Sequence, residues 1–355
     1  SEVAAVEDLK GGVRALIEQL FDALERDYGK ELVRAALALL TFAAKGINST
    51  EMEDLLSLHD DVLDQVFQYA TPKVRRLPSH VWLRLKGAMD GLITEGEHGC
   101  FQWYHRQLRE AAEERFLPGE KTRTHELMAA YFGDRLDEAT RTERKIAAQP
   151  WTLRGHPFDK ASVVNARRCG EASHHLLQSL QAAKKTVPRN EASIEAWRRQ
   201  AEDELCDFAG ICGKLRIGEG FELVRDLAAL HGMIDNDKDA PVQGGSASDG
   251  VNALVEGARS PTSLRAYHYL RWLREEMHFL TRAQPIQTFL SSAAMQPTIS
   301  LVNQQATALW KSSKEKGAMH SLQFARPMGG RSGFDAVLAK LEGHSHFVNS
   351  VCFSP

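Results

Sequence analysis

The sequence predicts a mainly α protein: a winged-helix domain followed by an α-helical superhelical array. Three observations predict it. Apolar residues recur at three- and four-residue steps through most of the 355 residues. Between 31 and 117 that rhythm is interrupted by Ile93-Thr94, a Glu95-Gly96-Glu97-His98-Gly99 turn, and Cys100–Tyr104, which read as a two-stranded wing. From Pro118 to about Gln323, helical segments follow one another between prolines with no strand signal.

Taken in order, Val6, Leu9, Val13, Leu16, Ile17, Leu20 and Leu24 mark a first amphipathic helix. Leu32, Val33, Ala36, Leu37, Leu39 and Leu40 make a second so apolar that it must be buried, and Gly46-Ile47-Asn48 ends it. Thr50 with Glu53 reads as a capping box before Leu55 and Leu56. Asp60-Asp61 opens a helix that Pro72 stops, and Pro78-Ser79 begin another with Val81, Trp82, Leu85, Met89 and Leu92 inside. The wing then feeds a helix over Trp103–Leu117, with Tyr104, Leu108, Ala111, Ala112 and Phe116 as its apolar stripe and Arg106, Arg109, Glu110 and Glu113 paired on the wet side. His105 falls on the first turn, outside the stripe. A histidine there either caps and packs, or reaches a ligand.

Beyond Pro118 the helical segments are His125–Phe132, Val163–Leu180, Ile194–Cys212, Gly220–Leu230, Leu264–Thr281, Ile286–Ala294 and Ser300–Trp310. No fixed repeat period emerges, and the tetratricopeptide signature is absent. His174 and His175 read as surface and packing residues. Asp235–Asp249, rich in Gly, Ser and Asp, reads as a mobile loop, and Ser312 to about Gly333 as a linker or covering segment.

Composition narrows the function. At 43% hydrophobic and 26% charged the chain suits a soluble protein of two or three domains, and a formal charge of -3 gives no global pull toward nucleic acid or membrane. Five scattered cysteines suit a reducing compartment. Neither Cys206 with Cys212 nor His98, Cys100 and His105 has the paired spacing of a zinc site, so no metal is expected. With no run of eighteen apolar residues and no leader pattern, the expected location is the cytoplasm. Gly-x-x-x-x-Gly-Lys-Ser/Thr, Gly-x-Ser-x-Gly and His-Glu-x-x-His are all absent, so no enzyme activity and no catalytic residue are expected. The chain opens inside a helix and stops inside what reads as a strand, as if cut at both ends.

Several stretches carry a resemblance: Leu32–Leu40 (LVRAALALL), Met52–Val66 (MEDLLSLHDDVLDQV), Val74–Leu85 (VRRLPSHVWLRL), the WYHRQLREAAEERFL helix and Leu341–Pro355 (LEGHSHFVNSVCFSP). Together they resemble the NACHT-plus-WD-repeat branch of the STAND nucleotide-switch proteins. The resemblance implies that 1–30 is the last helix of the NACHT module, 31–117 the winged helix, 118–325 the superhelical domain, 326–340 a linker and 341–355 the start of the first WD repeat. Gly343 and His344 would then help knit a propeller blade, and this first strand would have nothing to pair with. It also implies a regulatory and interaction segment of an ADP/ATP-dependent signalling switch. His105 stands where relatives carry a histidine that reaches the phosphates of bound ADP, while Tyr104 and Arg106 stand where those relatives have Met or Leu and Asp.

On this reading the chain itself holds no cofactor, ADP or ATP is expected in the parent protein, and the parent is a slow P-loop NTPase. Implied partners are proteins, through the helical array and propeller, and the NACHT core of the same chain, with homo-oligomers on activation and no membrane. Two other functions are weighed beside it. One is a nucleotide-independent helical scaffold. The other is DNA binding by the winged helix, suggested by Lys73, Arg75, Arg76, His80, Arg84 and Lys86 and opposed by the acidic net charge.

Overall fold

The structure, a computed structural model, describes residues 2–69, 72–155, 161–235, 261–281, 286–296, 300–315, 323–324 and 341–342. It is mainly helical and divides into two compact units. The first comprises 1–150 and 167–197, the second 151–166 and 198–355.

The first unit is built around α2 (Lys30–Phe42), ten of whose thirteen residues are buried. Its apolar run leaves no polar face, so it must be covered on all sides. α1 (Glu2–Tyr28), α3 (Ser49–Leu56), α4 (Asp60–Val66) and α6 (Arg106–Phe132) supply that cover. Each Leu, Val or Phe it hides contributes about 1.5–3 kcal/mol. Gly29, at φ +93°, precedes α2 and has no side chain to cap it. The Gln65 side chain of α4 does so instead, accepting from the Glu31 N–H at 2.9 Å. A Cβ on Gly29 would fall on the Gln65 amide.

The wing is as the sequence predicts: β1 (Ile93–Glu95) and β2 (Phe101–Trp103) pair antiparallel, with Ile93 opposite Trp103. Ile47 exchanges backbone hydrogen bonds with Phe101 at 3.1 and 2.8 Å, adding one residue of a third strand. α5 (Ser79–Ala88) starts after Pro78 and buries Trp82 and Leu85.

Four local expectations are corrected. The capping box is Asn48 with Glu51, not Thr50 with Glu53, because the Ile47 bridge fixes where the chain leaves the sheet and Asn48 is the next residue. α4 ends at Val66, ahead of Pro72. Tyr104 is 60% exposed and lies outside α6, so it is no part of the stripe that Leu108, Ala111, Ala112 and Phe116 bury. α6 runs from Arg106 to Phe132 as one helix, joining the segments read separately as Trp103–Leu117 and His125–Phe132.

α7 (Glu138–Arg144), capped by Asp137, and α8 (Ala166–Lys185) follow. α9 (Glu191–Leu205) lies partly in each unit. The second unit also contains a hairpin the sequence reading missed, β3 (Thr152–Arg154) against β4 (Val163–Val164). The segment read as Ile194–Cys212 divides, because Asp207 accepts from the Gly210 N–H and starts α10 (Phe208–Arg216). α11 (Gly220–Asp235), α12 (Pro261–Leu280), α13 (Ile286–Met295) and α14 (Leu301–Glu315) complete it. Phe208 sits at its centre, with ring centroids 5.6, 5.9 and 5.7 Å from Tyr269, Trp272 and Phe289.

The pair β5 (Gln323–Phe324) and β6 (Leu341–Glu342) is antiparallel. The strand expected to lack a partner at Leu341 therefore has one. Residues 236–249 of the expected loop, 326–340 of the linker and 343–355 of the WD repeat lie outside the described residues. Cys100, Cys169, Cys206 and Cys212 are all buried and free of disulfides. No helix among the described residues is long and apolar enough to cross a membrane.

Candidate functional site

His105 sits where the wing turns into α6. Its backbone is extended (φ -120°, ψ 141°), and its carbonyl accepts the first helical hydrogen bond, from Leu108 at 3.1 Å. Its side chain makes no capping bond and is exposed. The Tyr104 ring packs against it edge-on, with centroids 4.4 Å apart. Arg106, next along, bonds Glu110 at 2.6 Å on the helix surface. β2 fixes the approach, since Phe101 and the Leu108 stripe anchor both sides of the junction while Tyr104 and His105 project to solvent. The imidazole is thus exposed at the corner between β2 and α6.

α6 is gripped from α1. Arg115 bonds Glu18, Asp22 and Glu25 at 2.7, 2.6 and 2.9 Å. Burial works against its charge, but the three carboxylates prevail and raise the guanidinium pKa above its ordinary value.

The basic cluster is mostly engaged within the unit. Arg75 pairs with Asp64 at 2.6 Å and Arg76 with the buried Asp54 at 2.6 Å. Arg84 lies over the Tyr28 ring at 5.9 Å and Lys86 over Phe101 at 4.0 Å. The outer face of α5, where a DNA-reading helix would place its donors, shows Ser79, His80, Leu83, Arg84 and Gly87. Leu83 is 55% exposed. That face lacks the row of free cations a phosphate backbone needs.

A second polar centre is buried between α8 and the winged helix. Arg167 bonds Glu51 at 2.7 and 2.9 Å and Glu171 at 3.2 Å. Glu171, fully buried, accepts from the Ala44 and Lys45 backbone N–H groups at 2.8 Å each. Burial by itself would raise its pKa, but His175, Arg167 and these N–H groups bring it below the ordinary carboxylate value. His175 is fully buried, with Nε2 3.1 Å from Glu171 and Nδ1 2.8 Å from Nδ1 of His125.

Among the described residues, the group of histidine, cysteine or carboxylate side chains whose ligand atoms converge is His125, His174 and His175, all within 4.8 Å of one another. His98, exposed in the wing turn, and the buried Cys100 form no such group with His105, nor do Cys206 and Cys212. The sequence reading placed His174 and His175 as surface and packing residues. His175 does pack, stacked on Phe132, but faces two other imidazoles. His125 is fifty residues away, and no local signal joins it to them.

These elements define a winged-helix domain whose last helix is anchored to the helix that follows the second hairpin strand. Residues 4–124 match the family described as NWD1-like, winged helix-turn-helix domain. The chain is 30% identical over 245 residues to human NACHT domain- and WD repeat-containing protein 1, covering 61% of this chain and 15% of that protein. To the mouse NACHT and WD repeat domain-containing protein 2 it is 27% identical over 204 residues, covering 46% of this chain and 12% of that protein. Residues 4–124 thus match an NWD1-like winged helix, and the chain is similar to the NACHT and WD repeat-containing proteins, spanning about 15% of the length of the human protein 1. No solved structure matches.

Proposed function

We propose that this chain is the regulatory and interaction segment of a nucleotide-dependent switch, in which the winged helix closes on a NACHT core. The observation that carries the reading is the exposure of His105 and Tyr104 on the corner between wing and α6, in a domain matching the NWD1-like family. In the closed state the His105 imidazole donates to a phosphate of ADP held by the core. One charge-assisted hydrogen bond of this kind stabilises the closed state by about 1.5–3 kcal/mol, enough to bias the equilibrium tenfold or more. Exchange to ATP breaks it and releases the helices beyond, with any propeller, to bind protein partners and assemble in the cytoplasm.

In this proposal the chain performs no catalysis and holds no nucleotide alone. The internal pairing of Arg75, Arg76, Arg84 and Lys86 supports contact with protein over DNA. The test is calorimetry on this chain and on a protein extended upstream to include a NACHT core. ADP retained by the longer protein alone, and lost on His105→Ala, supports the switch. An extended protein indifferent to ADP and to His105→Ala leaves a helical scaffold.

A further inference from the structure

We propose that His125, His174 and His175 form a binding site for a zinc-class divalent ion that joins α6 to α8, independently of any nucleotide switch. Three imidazoles are the ligand set that suits zinc and its borderline neighbours such as cobalt and nickel, with a fourth position left for water. Convergence within 4.8 Å brings three nitrogens nearly to coordination range. An ion 2.0–2.1 Å from each separates ligand nitrogens by about 3.3 Å. The 2.8 Å pair thus opens by about half an ångström on binding.

Independent support comes from Glu171. Every other group on that carboxylate donates to it: the Ala44 and Lys45 N–H groups and Arg167. His175 then donates from Nε2, and in the neutral ring this tautomer puts the Nδ1 lone pair toward His125. A carboxylate behind a ligating histidine is the arrangement that fixes ring orientation and tautomer at zinc sites. Without metal, His125 Nδ1–H donates to His175 Nδ1. With metal, that proton moves to His125 Nε2, so the ring stays neutral and no net proton is released.

His125 is buried, which disfavours the charged imidazolium and favours the neutral ring that a metal needs. His125 and His175 are closed off from solvent, whereas His174 is half-buried and gives the ion its way in. Arg167, also on α8, is neutralised by Glu51 and Glu171.

The test uses the full chain stripped of metal with a chelator. Zinc titration by calorimetry should give one site, and cobalt(II) should give the visible absorption of a tetrahedral nitrogen-rich site. His174→Ala, chosen because this ring is the least buried, should weaken zinc at least tenfold and abolish the cobalt bands. His174→Gln serves if the alanine variant does not fold. His98→Ala, in the wing, should change neither, and Glu171→Gln should weaken zinc roughly 10–100-fold. Zinc bound no more tightly by the parent chain than by its His174 variants, or a cobalt spectrum unchanged by them, overturns the proposal and leaves a structural hydrogen bond.

Discussion

The Tyr131 hydroxyl donates to Asp54 at 2.8 Å, joining the far end of α6 to α3 inside the winged helix. Arg76 holds the same carboxylate at 2.6 Å, and Gln149 donates to the Tyr131 oxygen at 3.3 Å. Asp54 is buried, so each bond compensates for water it has lost. Tyr131→Phe should cost about 1–2 kcal/mol, read as a lowered urea midpoint with an unchanged slope. In the Arg76→Met background the loss should differ from the sum of the two single effects, since both residues satisfy one carboxylate.

Removing Arg167 should cost more. Its loss leaves Glu51 and Glu171 facing each other, one at 5% and the other at 0% exposure. Arg167→Met is expected to destabilise the first unit by on the order of 3 kcal/mol. Hydrogen exchange should show α8 losing protection before α2, because α8 is tied down by this network while α2 is held by apolar packing.

In the second unit, burial drives the Glu202 pKa from 4.5 up to about 8, against the opposing pull of Arg265, and its Oε1 has no hydrogen-bond partner. Between those values the folded state keeps a proton that the unfolded chain releases. The stability is therefore fully present below about pH 4.5 and falls as pH rises toward 8, by at most about 1.4 kcal/mol per unit. Glu202→Gln should flatten this slope. Urea unfolding from pH 5 to 9 measures it, and equal slopes in both proteins would show that the carboxyl ionises freely in the fold.

Two glycines of the same unit should respond with opposite sign. A Cβ on Gly210 would come within 2.5 Å of the Trp151 ring, whereas one on Gly232 in α11 meets nothing within 4 Å. Gly210→Ala should destabilise by about 1–3 kcal/mol through overpacking. Gly232→Ala should stabilise by up to about 1 kcal/mol by stiffening the unfolded chain. Thermal unfolding of the two variants distinguishes them directly.

Much of the winged helix was legible because its signals are local. An apolar run such as Leu32–Leu40 has only one stable placement, and Pro78-Ser79 opens a helix as their chemistry requires. Misreadings arose where two local rules competed. Thr50–Glu53 and Asn48–Glu51 share one spacing, and only the long-range Ile47 bridge to Phe101 chooses between them. The helix read as ending at Leu117 continues through Pro118 to Phe132. The Asp207 cap was present in the sequence but lay inside a longer periodic run. For His105 the strand-to-helix junction was readable, and its exposure was not. The histidine cluster depends wholly on tertiary convergence, so nothing near His125 could reveal it.

Four buried thiols among the described residues turn the chain into a timepiece with two faces. Cys100 and Cys169 lie in one unit, Cys206 and Cys212 in the other. Burial raises the pKa of Cys100 and of Cys206, and that of Cys212 to about 11, so each reacts with an alkylating reagent only while its surroundings are open. Labelling rates then read the opening frequency of each unit separately. Cys100, next to the wing strand that leads to His105, keeps time for the corner itself.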